Sequence, residues 1–377
     1  MSESDKKPMD EAVTRPQIVP GVAQLSLYKM GKSQLDDHAA PIKLSSNESA
    51  LGTPPAAVAA FTSVKDHLHR YPDGAQAELR GAIADVYGLD RERIICGNGS
   101  EELIGFVIRC FMADGDELLL SENYFPICRN YALSVGGQVV TAPETHFVTN
   151  VDALLERISP RTRIVILANP NNPTGTYVSA TDIRRLHREL PADVLLLLDG
   201  AYAEYVSVDD FDAGASLVDQ HNNVIMTRSF SKMYGLAGLR IGWGYGSQWL
   251  IDALQRIRVP FNANAAAMAA AAAAVRDRAW VERARAHNTR WLQTISETLT
   301  DLGLQVVPSV ANFYLLVFDD CPGKTAKAAA SALEQQGIIP RPVGGAAGTE
   351  HDVLRITVGN DAENAAVLDV LRAYLSA

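Results

Sequence analysis

The sequence predicts an α/β protein built on a parallel or mostly parallel sheet with helices on both faces, followed by a smaller α+β unit. Six short apolar runs alternate with helical segments in the 377-residue chain: RIIC, ELLLS, QVVTA, RIVILAN, VLLLLDG and NVIMTRS. Continuous apolar strands separated by helices are typical of a sheet that is buried on both faces. The chain is also long enough for two domains with sizeable cores.

Helices are predicted from apolar spacing and capping residues. The first covers residues 54–71, with Thr53 as its N-cap, and the second is GAQAELRGAIADVYG. A run of alanines over 265–275 favours a closely packed helix that leads into a long polar helix over 277–302. NFYLLVF, a helix near 326–336, VLRITVG and a final helix form the smaller unit.

Composition argues against several classes of protein. A net charge of −10 disfavours a nucleic-acid binder. The sequence contains no run of eighteen apolar residues, so no membrane-spanning helix is expected. The polar start MSESDKKPMDEAVTRP lacks the apolar core of a secretory signal, and the four cysteines show no CxxC spacing. His67 and His69 have no further metal ligands nearby. We therefore expect a cytoplasmic protein without a metal site.

Ligands of parallel sheets gather at the carboxyl ends of the strands, and ICGNGSEEL lies at such an end. The amides of Gly99, Ser100 and Glu101 would there open a helix and face an anion. A dinucleotide fingerprint is an alternative, but GxGxxG needs a third glycine where this chain has Glu102. A simple helix N-cap explains the segment equally well when it is taken alone.

Three more strand ends carry unusual residues. ANPNNPTGT marks a turn, which by itself is a connecting loop as readily as a site. Asp199, with Tyr202 three residues later, is either an N-cap or an acid that faces a ligand. Lys232 has no acidic neighbour; a solvated loop lysine is the ordinary alternative. Partial burial would lower its pKa and free the amine to form an imine with an aldehyde cofactor.

The segments NPNNPTG, DGAYAEY and SFSKMYGLAGLRIG, in this order, resemble the fold-type I, pyridoxal-phosphate-dependent aminotransferases. The likeness extends from KLSSNE to LRITVG and is strongest to the histidinol-phosphate aminotransferase family. It implies a large domain (46–275) around a mixed, mostly parallel seven-stranded sheet. It also implies a small domain (276–377) and an N-terminal arm (1–45) that contributes to this small domain and to dimer contacts. The protein would be a homodimer with shared active sites.

The resemblance implies transamination in histidine biosynthesis: histidinol phosphate and 2-oxoglutarate would give imidazole acetol phosphate and glutamate. Lys232 would bind pyridoxal 5′-phosphate covalently and shuttle a proton, and Asp199 would keep the pyridinium nitrogen protonated. The other cofactor contacts implied are Asn172 and Tyr202 at the 3′-oxygen, Tyr124 stacked on the ring, the phosphate site of Gly99, Ser100, Glu101, Ser229, Ser231 and Arg240, and Tyr71 at the phosphate of the partner subunit.

Four residues are expected at the substrate. Arg355 would bind the α-carboxylate, Arg341 and Tyr28 a distal phosphate, and Asn312 lies in a motif near the substrate. Each of two residues also has a purely structural alternative to substrate binding. Arg355 would then be a strand arginine paired with an acid, and Asn312 a turn residue. SNESALG replaces the usual SNENPxG, and FPICRNY lacks a second tyrosine. Both departures concern the substrate pocket rather than the cofactor site.

Other functions remain open on the sequence. An aromatic amino-acid aminotransferase shares every cofactor residue, and a phosphothreonine-type decarboxylase shares this branch of the fold. A binding or regulatory module that keeps the cofactor without turnover is disfavoured by the intact set of Lys232, Asp199 and Arg355. A nucleotide-dependent oxidoreductase is disfavoured by Glu102.

Overall fold

The computed structural model describes residues 16–25, 27, 31–343 and 351–376. The helices are α1 (Pro20–Ala23), α2 (Pro55–Ser63), α3 (Ala77–Tyr87), α4 (Ser100–Phe111), α5 (Ile127–Ser134), α6 (Val151–Glu156), α7 (Ala180–Glu189), α8 (Ala215–Gln220), α9 (Gln248–Ile257), α10 (Ala265–Arg276), α11 (Arg278–Asp301), α12 (Ala326–Gln335) and α13 (Asp361–Ser376). The strands are β1 (Ile42–Lys43), β2 (Ile94–Gly97), β3 (Glu117–Ser121), β4 (Gln138–Ala142), β5 (Glu144–Thr145), β6 (Val148–Thr149), β7 (Thr162–Ala168), β8 (Leu195–Asp199), β9 (Val224–Ser229), β10 (Gly242–Gly246), β11 (Gln305–Val307), β12 (Phe313–Val317), β13 (Ile338–Ile339), β14 (Arg341–Pro342) and β15 (Val353–Thr357).

The larger sheet has seven strands in the order β2-β10-β9-β8-β7-β3-β4. Every pair of neighbours is parallel except those that involve β10, which is antiparallel to both β2 and β9. Apolar clusters pack on both faces, which explains why its strands are continuous apolar runs. The predicted fold class is therefore confirmed, and all six predicted strands belong to this sheet.

The strand β10 was not among the predicted strands, because its sequence GWGYG lacks the β-branched residues that mark a strand. Its glycines have a packing reason. A Cβ on Gly242 would lie 2.4 Å from the Ser100 amide nitrogen and 2.9 Å from the Arg228 carbonyl oxygen. Only glycine lets this strand pass so close to the start of α4.

The prediction of a helix over 54–71 capped by Thr53 is wrong in both respects. The helix α2 ends at Ser63, and a short 3₁₀ turn over Lys65–His67 follows it. Because the side chains from Lys65 to Tyr71 are largely exposed, no apolar face continues the helix. The N-cap is Pro54, and the Thr53 hydroxyl instead donates to the Gly235 carbonyl at 2.8 Å.

The smaller unit is an antiparallel sheet in the order β11-β12-β15-β14, with α11, α12 and α13 around its apolar cluster. The predicted long helix is α11, and Asp277 caps it by accepting from the Trp280 amide at 3.0 Å. Strand β1 pairs with β13 and joins the chain before residue 46 to this unit. The domain boundaries near residues 45 and 275 stay a prediction. In the described part of the chain, no helix is long and apolar enough to cross a membrane.

Candidate active site

Three neighbouring strands deliver the predicted site segments to one edge of the large sheet. The ladders pair Ala168 with Asp199 across β7 and β8, and Asp199 with Thr227 across β8 and β9. The Asn169 amide continues the ladder by donating to the Asp199 carbonyl at 2.9 Å. The NPNNPTG loop, Asp199 and the segment leading to Lys232 therefore leave the sheet side by side.

Lys232 lies just beyond β9, partly buried beneath the SNESALG loop. Its Nζ donates to the Ser46 carbonyl at 3.1 Å and lies 5.7 Å from the centre of the Tyr202 ring. Burial, and then the positive charge of Arg355, lowers the pKa of Lys232 to about 8. About a tenth of this lysine is therefore a neutral amine at pH 7, far more than for an ordinary lysine, and the neutral amine is the form that a nucleophile requires.

Asp199 occupies the last position of β8, and its Oδ1 accepts from the Thr227 hydroxyl at 3.1 Å. Burial raises the pKa of Asp199 to about 6. The hydrogen bond from Thr227 lowers this pKa, but its effect is smaller than that of burial. A carboxylate in such a place is stabilised by a cationic partner. Thr227 was not among the predicted site residues; its only signal in the sequence is a hydroxyl residue directly after the apolar run VIM of β9.

The start of α4 and Arg240 form a corner whose donors suit an anion, here called the anion-binding corner. Gly99 has φ of 89°, and a Cβ on it would lie 2.6 Å from a guanidinium nitrogen of Arg240. The amides of Ser100 and Glu101 make no hydrogen bond to any part of the chain that the structure describes. The Gly99 amide, however, donates to the Gly97 carbonyl at 2.8 Å, so that predicted phosphate donor is already engaged.

Two serines complete this corner. Arg240 donates to the Ser231 hydroxyl at 3.3 Å, and the Ser231 amide donates to the Ser229 hydroxyl at 3.1 Å. Arg240 itself has a left-handed backbone with φ of 51°, a conformation that is costly for a residue with a side chain. Helix amides, hydroxyls and a guanidinium at one point match the donors that phosphate oxygens accept.

Asn47, which was given no role from the sequence, connects the arm segment to the site. Its side-chain Nδ2 donates to the Tyr202 hydroxyl at 2.9 Å, and its backbone N–H donates to the Thr357 hydroxyl at 2.9 Å. Asn312 supports the same loop from behind, since its Nδ2 donates to the carbonyls of Asn47 and Glu48, each at 3.1 Å. A direct contact between Asn312 and a substrate stays a prediction.

Arg355 on β15 connects the small unit to the NPNNPTG loop. Its guanidinium donates to the Asn172 Oδ1 at 2.5 Å and to the Ser45 carbonyl at 2.8 Å. Arg341 on β14 is its cross-strand neighbour in the antiparallel ladder. Arg355 therefore contacts the NPNNPTG loop and acts on Lys232 through its charge, and Arg341 lies next to it on the neighbouring strand.

The predicted aromatic contacts differ in their placement. Tyr124 follows β3 and packs half-buried against the large-sheet core. Tyr71 is 83% exposed, and its ring stacks on Phe261 with 4.7 Å between centroids. Tyr28 lies outside the described residues. Within the described ranges, no group of three His, Cys, Asp or Glu side chains is arranged to hold a metal ion.

Comparisons with known proteins agree with this geometry. The profile of the family described as aminotransferase class I and II matches residues 39–371. A histidinol-phosphate aminotransferase of Maricaulis maris is 45% identical over 357 residues, which cover 95% of this chain and 98% of that protein. One of Dinoroseobacter shibae is 48% identical over 355 residues and covers 94% and 97% respectively.

Solved structures show the same architecture. The histidinol-phosphate aminotransferase of Sinorhizobium meliloti, crystallised with pyridoxal 5′-phosphate, superposes with a TM-score of 0.85 at 27% identity. That match covers 96% of this chain and 99% of the other. An Erwinia carotovora protein described as a putative histidinol-phosphate aminotransferase gives a TM-score of 0.82 at 26% identity, covering 89% and 96%.

Proposed function

Because this chain belongs to the class I and II aminotransferase family, we propose that it is a histidinol-phosphate aminotransferase that uses pyridoxal 5′-phosphate. The observation that carries the proposal is Lys232, an amine with a lowered pKa that interacts through charge with the partly buried carboxylate of Asp199 and with Arg240 of the anion-binding corner. The reaction transfers the amino group of histidinol phosphate to 2-oxoglutarate. The two histidinol-phosphate aminotransferases that are 45% and 48% identical to this chain confirm the family resemblance expected from the sequence.

The residues present fit this cofactor. The raised pKa of Asp199 marks a carboxylate that lacks a strong cationic partner, and a protonated ring nitrogen would supply one. The amides of Ser100 and Glu101, Arg240 and the two serines fit its phosphate. When bound, the cofactor supplies an aldehyde for the amino group and a conjugated ring that stabilises negative charge at the substrate α-carbon.

Lys232 is proposed to provide two functions in turn. Its neutral amine reacts as a nucleophile, and the same nitrogen later carries the proton that moves at the substrate α-carbon. A pKa of about 8 suits both tasks, since the amine gains and loses a proton near working pH. Tyr202, held by Asn47, and Asn172, held by Arg355, are proposed to orient the cofactor's 3′-oxygen.

Arg341 and Arg355 are proposed to bind the anionic groups of both substrates. A phosphate monoester carries nearly two negative charges, and guanidinium groups match its oxygens in pairs. Glutamate and 2-oxoglutarate carry carboxylates at both ends, so the same cations serve the second half of the reaction. The pairing of Arg341 with Arg355, and the contact of Arg355 with Asn172, support this assignment.

A homodimer with shared sites is part of the proposal. Large apolar side chains are exposed in the two segments that the Tyr71–Phe261 stack joins: Phe61, Leu68 and Tyr71 in one, and Val259 and Phe261 in the other. A second copy covering them would bury this surface and place Tyr71 at the other subunit's phosphate. Sedimentation equilibrium should give a dimer that Tyr71→Asp weakens. The cytoplasmic location stays a prediction.

The substrate assignment is tested by comparing kcat/KM for histidinol phosphate and for phenylalanine, with 2-oxoglutarate as acceptor. We expect histidinol phosphate to be preferred by about tenfold to a hundredfold, because the charge-assisted contact of Arg341 with the phosphate is lost with phenylalanine, whose carboxylate is left to Arg355. A preference for phenylalanine would instead make the protein an aromatic aminotransferase. Release of carbon dioxide from a phosphorylated amino acid would make it a decarboxylase.

A further inference from the structure

Glu144, on the short strand β5, receives hydrogen bonds from two different loops. Its Oε2 accepts from the Asn123 Nδ2 at 2.9 Å, and its Oε1 accepts from the Asn171 Nδ2 at 3.1 Å. The Asn171 Nδ2 also donates to the Asn123 carbonyl at 2.9 Å. One carboxylate therefore bridges the loop that follows β3 and the loop that follows β7.

Each bridged asparagine directly precedes a residue assigned to the cofactor. Asn123 precedes Tyr124, and Asn171 precedes Asn172. The Asn171 Oδ1 accepts from the Asn172 amide at 2.8 Å, so the side chain held by Glu144 also holds the backbone of the next residue. A displacement of Glu144 would therefore be transmitted to both cofactor contacts.

The bridge is buried enough to matter energetically. Asn123 and Asn171 are each 3% exposed, so their amides cannot exchange a lost partner for water without opening the loops. Burial raises the pKa of Glu144 to about 7, while its hydrogen bonds from Asn123 and Ser121 oppose that rise. The nearby acid is Glu122, whose Oε1 accepts from the Glu144 amide at 2.9 Å. Removing the carboxylate would leave two buried donors unsatisfied.

We propose that Glu144 is a positioning residue that fixes the Tyr124 loop and the Asn172 loop relative to each other. Its benefit to cofactor binding rests on the function proposed above. Tyr124 would contact the cofactor ring and Asn172 its 3′-oxygen, and the two residues lie on separate loops. The distance between these loops must stay constant if both residues are to contact one rigid ligand. Fixing that separation before binding removes an ordering cost that the ligand would otherwise meet.

Hydrogen–deuterium exchange of the cofactor-free protein tests the bridge itself. In Glu144→Ala we expect faster exchange in both segments, 121–125 and 169–173, by about tenfold, since the lost hydrogen bonds are of order 1.5 kcal/mol. Glu144→Gln keeps one acceptor and should loosen the segments less; it replaces the alanine variant if that variant fails to fold. Unchanged exchange in either segment would overturn the proposal.

The matched control is Glu117→Gln on β3, the strand that leads into the Asn123 loop. Glu117 is a buried carboxylate, held by Arg161 at 2.9 Å and Ser159 at 2.6 Å, but it lies at the end of β3 that is remote from Asn123. We expect it to lower the melting temperature while leaving exchange in the two segments unchanged. If it loosened them equally, the effect would be general destabilisation and the proposal would fail.

Cofactor affinity is the second readout. Titration of the cofactor-free protein with pyridoxal 5′-phosphate should give a Kd about tenfold higher for Glu144→Ala and within about twofold for Glu117→Gln. The exchange experiment contains no cofactor, so it judges the bridge independently of the proposed function. Loosened loops with an unchanged Kd would refute the positioning role.

Discussion

Arg341 and Arg355 are direct cross-strand partners, paired at their Cα atoms between β14 and β15. Residues so paired project from the same face of a sheet, and like charges in that arrangement repel each other. A substrate with a phosphate or a carboxylate would relieve the repulsion. We propose that this pairing lets a protein of net charge −10 select anionic substrates.

Replacing Arg341 tests its proposed role at the distal anion. Arg341→Gln should lower kcat/KM for histidinol phosphate by about a hundredfold, because a charge-assisted hydrogen bond contributes about 1.5–3 kcal/mol. The same variant should change kcat/KM for phenylalanine by less than about threefold. The exposed Arg372→Gln on α13 serves as control. Equal losses for both substrates would contradict the assignment.

Thr227 should tune the charge of Asp199. Its hydroxyl donates to the carboxylate and lowers the pKa, so Thr227→Val should raise the pKa of Asp199 above about 6. As the pH is lowered, the affinity of the cofactor-free Thr227→Val variant for the cofactor should therefore begin to fall at a higher pH than that of the unaltered protein. Titrations at several pH values measure this shift. Thr227→Ser should behave as the unaltered protein, and an unshifted profile for valine would refute the role.

Covalent uptake of the cofactor should follow the protonation of Lys232. Only the neutral amine reacts, so the uptake rate should rise with pH through about 8 and then level off. Arg355 lowers the pKa of Lys232 through its charge; Arg355→Gln should therefore move the profile to higher pH. Stopped-flow absorbance follows the chromophore. A shift to lower pH would contradict this electrostatic account.

Gly99 should matter for more than its backbone conformation. Gly99→Ala places a Cβ 2.6 Å from Arg240, whereas Gly115→Ala has a similar positive φ of 81° with no atom within 4 Å of the new Cβ. Both should lose stability to backbone strain, and Gly99→Ala the more, because the Gly99 ψ of 164° combined with its positive φ is a conformation adopted essentially by glycine alone. Only Gly99→Ala should also raise the cofactor Kd, by about tenfold or more. Equal Kd values for the two variants would argue against a phosphate site here.

The sequence was sufficient to predict the parts of the fold that rest on local patterns. Continuous apolar runs marked six strands, and polar residues directly after them marked Asp199 and Lys232. Strand β10 was missed because its glycines serve a contact with α4 that only the folded chain reveals. Asn47 and Thr227 were missed for a similar reason: their partners, Tyr202 and Asp199, lie 155 and 28 residues away.

Lys232 is proposed to hold the cofactor covalently. Borohydride reduction of the purified protein with pyridoxal 5′-phosphate, followed by digestion and mass spectrometry, locates the link directly. We expect a single reduced pyridoxyl group on the peptide containing Lys232, and none in Lys232→Ala. A label on another lysine, or full transaminase activity in Lys232→Ala, would contradict the account.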